Sequence, residues 1–268
     1  MVFGSMANDD GNFILSEEEY KLVTRQYPEL SEYLKLFLGS EEYLHNTKRY
    51  CLWLKEAPPQ IITHQFVRPR VEAVKAKRLS SNREATRKLG LFPYLFGEDR
   101  QPDTDYLMVP RVSSERRRYV PIGYLPKEVI ASDACQMIPN ANLYMFGVLT
   151  SNVHMAWMRA VCGRLEMRYR YSAKIVYNNF PWPDPSDKQK RKIEETAKMI
   201  LDARNKHKDS PLADLYDEIA MPVDLRRAHQ ENDKAVMEAY GFNWRTMTES
   251  ECVSELMKMY QAIIDSNT

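Results

Sequence analysis

The chain has 268 residues, 44% of them hydrophobic, with a formal net charge of +1. That is enough apolar material for one large domain or two ordinary ones, and too much for a disordered chain. No run of 18 apolar residues occurs and the start, MVFGSMANDDGNF, has neither the basic nor the apolar region of a signal peptide, so no membrane partner is expected.

Residues 1–63 carry 6 Lys and Arg against 10 Asp and Glu, residues 64–183 carry 19 against 10, and residues 184–268 carry 13 against 17. A basic middle between acidic flanks suits a phosphate-facing region, although a fluctuation in surface charge would look similar. Cys51, Cys135, Cys162 and Cys252 are scattered without metal-ligand spacing. They read as reduced thiols, mostly in the core, of a cytoplasmic protein. The chain is expected to be an internal piece of a longer one.

Residues 16–56 read as largely helical. Ser16 with Glu19 has capping-box spacing, and Leu30, Tyr33, Leu34 and Leu38 recur at helical intervals. Glu41–Leu44 begins another short element. Arg49–Leu54 is an aromatic and apolar run that reads as a buried strand, broken by Pro58-Pro59. Val67–Leu89 is basic and helix-prone, with Arg68, Arg70, Arg78 and Arg87 among its cations; these suit either a solvated face or phosphate contact.

Short strands are expected from Tyr106 to Pro139, with Glu115–Arg118 as a charged loop or hairpin tip. Asn152–Cys162 reads as a helix burying Val153, Ala156, Trp157, Ala160 and Val161, capped at Ser151 or Asn152 and ended by Gly163. His154 falls off that face and is expected in a surface or packing role rather than in catalysis.

The most informative stretch is Gly163–Pro183, GRLEMRYRYSAKIVYNNFPWP. Its first half alternates like one half-buried strand. Leu165, Met167, Tyr169 and Tyr171 fall inward, and Glu166, Arg168, Arg170 and Ser172 fall outward, about 7 Å apart at strand rise. A carboxylate beside a guanidinium is equipped to read a C·G pair, because Glu accepts from cytosine N4 while Arg forks onto guanine O6 and N7. A solvated Glu–Arg ladder would give the same pattern.

Phe180–Pro185 places three prolines in six residues, the strongest boundary in the chain. Residues 186–268 then read as charged helices.

No G-x-G-x-x-G or Walker loop, H-x-x-x-H or C-x-x-C frame, or G-x-S-x-G elbow is present. Glu19-Tyr20-Lys21 has the E-x-K spacing of some nucleases but lacks an upstream Pro-Asp strand. Asn179–Trp182 resembles the Asn-Pro-Pro-aromatic loop of adenine-N6 methyltransferases. With Phe at its second position and no cofactor loop before it, it reads as packing at a domain junction.

Six ordered segments together resemble one family: Met1–Ser5, Asp10–Ser16, Arg49–Trp53, Val109–Glu115, Ile175–Pro183 and Leu225–His229. The chain is similar to the carboxy-terminal part of MmeI-like single-chain type II restriction–modification proteins and their stand-alone methylase relatives. The resemblance implies a target recognition domain followed by a small helical domain. A preceding methyltransferase, missing from this chain, would bind S-adenosylmethionine and methylate adenine N6; this part would hold no cofactor, metal or catalytic residue.

By motif, the implied base-reading positions are Glu166, Arg168, Arg170, Arg111, Asp133 and Ala134. Arg116, Arg117, Arg118 and Lys174 suit phosphate contacts, which position rather than specify. The expected architecture is α+β: a target recognition domain over 1–183 (helical lead-in 16–48, mixed part 49–183) and a helical domain over 184–268. The expected partners are double-stranded DNA and the methyltransferase domain of the same polypeptide. The alternatives are a self-contained small methyltransferase or nuclease, or a protein-interaction module docking through the helical tail.

Overall fold

The structure, a computed structural model, describes residues 1–266; the last two residues of the expected 184–268 domain lie outside it. Short strands form three small sheets, and helices pack around and after them, an α+β arrangement.

The first sheet runs in the order Ile14–Ser16, Arg49–Leu52, Leu34–Leu38, Ile130–Ala131, with only the last pairing parallel. Ser16 caps the helix Glu17–Gln26, its Oγ accepting from the Glu19 amide at 3.1 Å. The helix does not extend to Leu38. Pro28 opens a tight 3₁₀ turn through Tyr33, and Leu34–Leu38 is a strand. The spacing of Leu30, Leu34 and Leu38 fits a helix, but Leu34 and Leu36 pair with Leu52 and Tyr50, and that tertiary pairing overrides the local period.

The basic stretch is helical over Val67–Leu79 and Glu84–Leu89, and most of its charge is engaged within the protein. Arg70 pairs with Glu19, Arg68 with Glu72, Lys77 with Asp10 and Lys88 with Glu84. Arg78 is buried, and its guanidinium donates to the carbonyls of Ala7, Asn8, Leu89, Phe92 and Leu95. These contacts favour a structural role over phosphate contact for this stretch.

The second sheet is antiparallel throughout, in the order Val2–Phe3, Cys135–Pro139, Tyr106–Pro110, Gly123–Leu125. The Tyr106–Pro110 strand is buried at every position. Gly4 lies where a Cβ would stand 2.1 Å from the Ser132 carbonyl oxygen, so only glycine lets the amino-terminal segment approach the Ser132–Ala134 loop. The third sheet is Gly163–Leu165, Arg168–Arg170 and Val112–Ser113.

The helix Asn152–Val161 starts at Ser151, whose Oγ accepts from the His154 amide, and its C-cap is Cys162 rather than Gly163, which begins the next strand. Every residue from Val153 to Met158 is buried, so His154 is interior, in the packing role rather than at the surface. The helix is packed on more than one side, with the Val223–Ala239 and Glu249–Ser266 helices and the Ala173–Tyr177 turn against it. His154 Nε2 meets the Tyr171 hydroxyl at 2.9 Å, and burial pushes the ring's pKa down to about 3. A further helix, Leu143–Leu149, precedes it, unmarked in the sequence reading because its face is apolar nearly all round.

After the prolines come helices Asp187–Lys206, Leu212–Leu215, Val223–Ala239 and Glu249–Ser266. Their apolar faces join the core of the preceding strands: Ile193, Ile200, Leu225, Val236 and Leu256 pack in one cluster with Leu107, Phe146 and Trp157. Phe180 is buried at the junction, edge-on to His154 and Trp182. All four cysteines are free thiols, and no described helix is long and apolar enough to cross a membrane.

Candidate nucleic-acid interface

The GRLEMRYRY segment is not one continuous strand. It folds back as a hairpin, with Leu165 opposite Arg168 and Gly163 opposite Arg170. Glu166 and Met167 form the two-residue turn, and Glu166 takes the left-handed conformation at φ 57°. Tight hairpin turns need positive φ, which a non-glycine residue adopts at a cost of about 1 kcal/mol. A perfect period of two therefore hides a reversal. Its consequence is a correction: Leu165 and Met167 are 44% and 65% exposed, while Tyr169 and Tyr171 are buried.

The reversal brings Glu166 and Arg168 together rather than spacing them along a strand. Arg168 Nη2 donates to Glu166 Oε2 at 3.0 Å, with the Glu166 side chain largely in water and that of Arg168 about half exposed. An exposed pair of this kind contributes about 0–1 kcal/mol, so it can open toward a ligand at little cost.

The second strand of the hairpin is held by Val112–Ser113, and the Tyr171 amide donates to the Arg111 carbonyl at 2.9 Å. That pairing sets Arg111 beside Arg170. The Arg111 guanidinium lies 4.8 Å above the Phe3 ring and donates from Nη1 to the Asp133 carbonyl at 3.1 Å. Arg111 and Asp133 therefore meet through the backbone, which leaves the exposed Asp133 carboxylate out of that bond. Ala134, also exposed, has its carbonyl bound by Ser40 Oγ at 3.0 Å.

Arg111, Ala134, Arg168 and Arg170 line one open depression of about 620 Å³. Leu165, Ser40, Glu41, Glu42 and Arg49 line it with them. Four of the six base-reading candidates thus share one concavity, with Glu166 attached through Arg168 and Asp133 adjoining Ala134. The sequence reading missed Glu41, Glu42 and Arg49. They lie some 60 residues or more upstream on elements with no unusual pattern, and only the fold brings them here.

The phosphate candidates do not line this depression. Arg116, Arg117 and Arg118 face a separate one of about 470 Å³, shared with Arg159, Glu218 and Glu249. Arg116 is exposed, burial pushes the Arg117 pKa down, and Arg118 lies 5.6 Å from the centre of the Tyr119 ring. Lys174 is exposed on the Ala173–Tyr177 turn and lines neither depression.

Comparison with known proteins gives concordant results. Residues 1–184 match the family model described as MmeI, target recognition domain, and residues 185–266 the model described as MmeI, C-terminal domain. The chain is 38% identical over 264 residues to DNA methyltransferase A of Bacillus subtilis (strain 168), covering 98% of this chain and 30% of that protein. It also matches the structure of the type IIL restriction–modification enzyme MmeI in complex with DNA, with a TM-score of 0.92 and 43% identity over 98% of this chain and 35% of that one. The chain spans about a third of the length of these relatives.

Proposed function

Because this chain belongs to the family of MmeI target recognition and C-terminal domains, we propose that it is the part of a longer restriction–modification protein that reads the sequence of double-stranded DNA. Residues 1–183 are the recognition domain and 184–268 a helical domain that braces it. The methyltransferase domain of the same polypeptide binds S-adenosylmethionine and transfers its methyl group to adenine N6. This chain contributes no catalytic group; it selects the site in the cytoplasm and positions the target adenine.

One observation carries this reading: Arg111, Ala134, Arg168 and Arg170, scattered over 60 residues, converge on a single open depression. Exposed guanidiniums there can fork onto guanine O6 and N7 in the major groove, and Glu166 beside Arg168 can accept from the paired cytosine N4. Small Ala134 near long Arg170 leaves space for either purine, since both present N7. Arg116, Arg117, Arg118 and Lys174 supply phosphate contacts at the periphery, where they set register and carry no sequence information.

Binding of the full-length protein to duplexes of defined sequence tests the proposal. Affinity should fall steeply with salt, with a slope of about −0.9 per phosphate neutralised, and Glu166→Ala should lose discrimination at one base pair by about 1–3 kcal/mol. If Glu166→Ala and Arg168→Ala weaken all sequences equally, the hairpin does not read bases.

A further inference from the structure

The depression contains an acid that its DNA-reading role, on which this inference rests, has not used. We propose that Glu41 is a further specificity-determining residue, accepting a hydrogen bond from an exocyclic amino group, cytosine N4 or adenine N6, in the major groove.

A carboxylate in a DNA-facing cavity is a liability unless it meets a donor, because the surrounding phosphates repel it. The two acids lining it differ. Glu42 is committed: one oxygen accepts from the Gly39 amide at 2.7 Å and the other pairs with Arg49 at 3.2 Å. Glu41 is not. Its side chain is 84% exposed, and among the described residues its ion-pair contact is with the His45 ring at 3.4 Å, an exposed pair worth little.

Glu41 is also held in place. The preceding residue, Ser40, donates to the Ala134 carbonyl at 3.0 Å, which ties the start of the Ser40–His45 helix to the loop carrying Asp133 and Ala134. The same depression is lined by Arg111, Arg168 and Arg170, all donors. Arginines can satisfy guanine O6 and N7 but cannot accept from an amino group. Of the two carboxylates lining the depression, Glu41 is the acceptor left free to do so.

The test begins with selection of duplexes from a random library by the full-length wild-type protein, followed by binding of Glu41→Ala and Glu41→Gln to the selected site and to unrelated DNA. Thermal unfolding of each variant should match wild type, given the exposure of the side chain. Glu41→Ala should lose about 5- to 150-fold in affinity for the selected site and nothing for unrelated DNA. The preference should relax at a base pair other than the one governed by Glu166 and Arg168. Duplexes in which that base lacks its amino group should bind wild type and Glu41→Ala alike. Glu41→Gln, which keeps a carbonyl acceptor, should retain part of the preference.

An equal gain for every sequence would make Glu41 a spectator charge and overturn the inference. So would an unchanged selected motif. If wild type enriches no sequence at all, the DNA-reading function fails first and takes this inference with it; if wild type selects a motif and Glu41→Ala selects the same one, only this inference fails.

Discussion

Two groups of arginines in this molecule have opposite environments. Arg78 and Arg204 are buried and wrapped in oxygen acceptors. Arg78 donates to five backbone carbonyls, and Arg204 donates to the Ile122 carbonyl at 2.6 Å and the Tyr216 hydroxyl at 2.7 Å. Tyr216 in turn meets His229 Nε2 at 2.7 Å, and burial keeps that ring's pKa well below its usual value. Arg111, Arg168 and Arg170 stand around an open depression with much of their donor capacity free. The same side chain serves as a structural cross-link where its donors are used internally and, under the proposed function, as a reader where they face outward. The sequence shows the charge in both cases and the commitment in neither.

The sharpest way to break this contrast is to remove a buried member. Arg78→Met should leave several carbonyls unsatisfied and cost about 3–5 kcal/mol in denaturant unfolding, without any defect specific to one DNA sequence in the folded fraction.

The seam between the strands and the carboxy-terminal helices holds a second buried charge. Asp233 accepts from the Tyr119 hydroxyl at 2.6 Å and the Asn152 amide at 2.8 Å, and burial pushes its pKa up to about 7. The folded state therefore holds this proton more tightly than the unfolded chain, whose carboxyl titrates near 3.9. The stability tied to Asp233 is full below about pH 4 and declines as pH rises through about 7. Asp233→Asn should remove that decline. The difference in unfolding free energy between variant and wild type should grow from pH 4 to 7 and stay constant above about 8.

Gly4→Ala should act on the depression indirectly. The new Cβ would press on the Ser132 carbonyl, costing about 1–3 kcal/mol in thermal unfolding, and it would displace the loop that carries Asp133 and Ala134. Relaxed discrimination at a base pair governed by Ala134 would be the functional readout. The smallest stability effect belongs to the exposed group. Arg168→Ala should change unfolding free energy by no more than about 0.5 kcal/mol while losing discrimination at its base pair.

Much of the architecture was legible in the sequence because it rests on local signals. Ser16 and Ser151 cap the helices they precede, the prolines of Phe180–Pro185 end the strand-rich part, and the strands Tyr106–Pro110 and Cys135–Pro139 stand on their apolar runs. The failures are places where tertiary structure decided between readings that the local pattern allowed. Leu34–Leu38 satisfies a helical period but is fixed as a strand by its partner at Arg49–Leu52. GRLEMRYRY alternates through a turn, because a two-residue hairpin preserves the period of two while reversing direction. His154 sits on a helix packed on more than one side, which a single amphipathic stripe does not anticipate. Within the depression, Arg111, Ala134, Arg168 and Arg170 were found by motif. Glu41, Glu42 and Arg49 were not, since their role depends on a long-range contact such as Ser40 with Ala134.

The central claim is that the hairpin and its depression choose the DNA sequence. It is tested most directly by mapping methylated adenines genome-wide in cells expressing the full-length protein, wild type against Glu166→Lys with Arg168→Asp. The account predicts a methylated motif in both strains that differs at one base pair. An identical motif in both, with methylation intact, would contradict it.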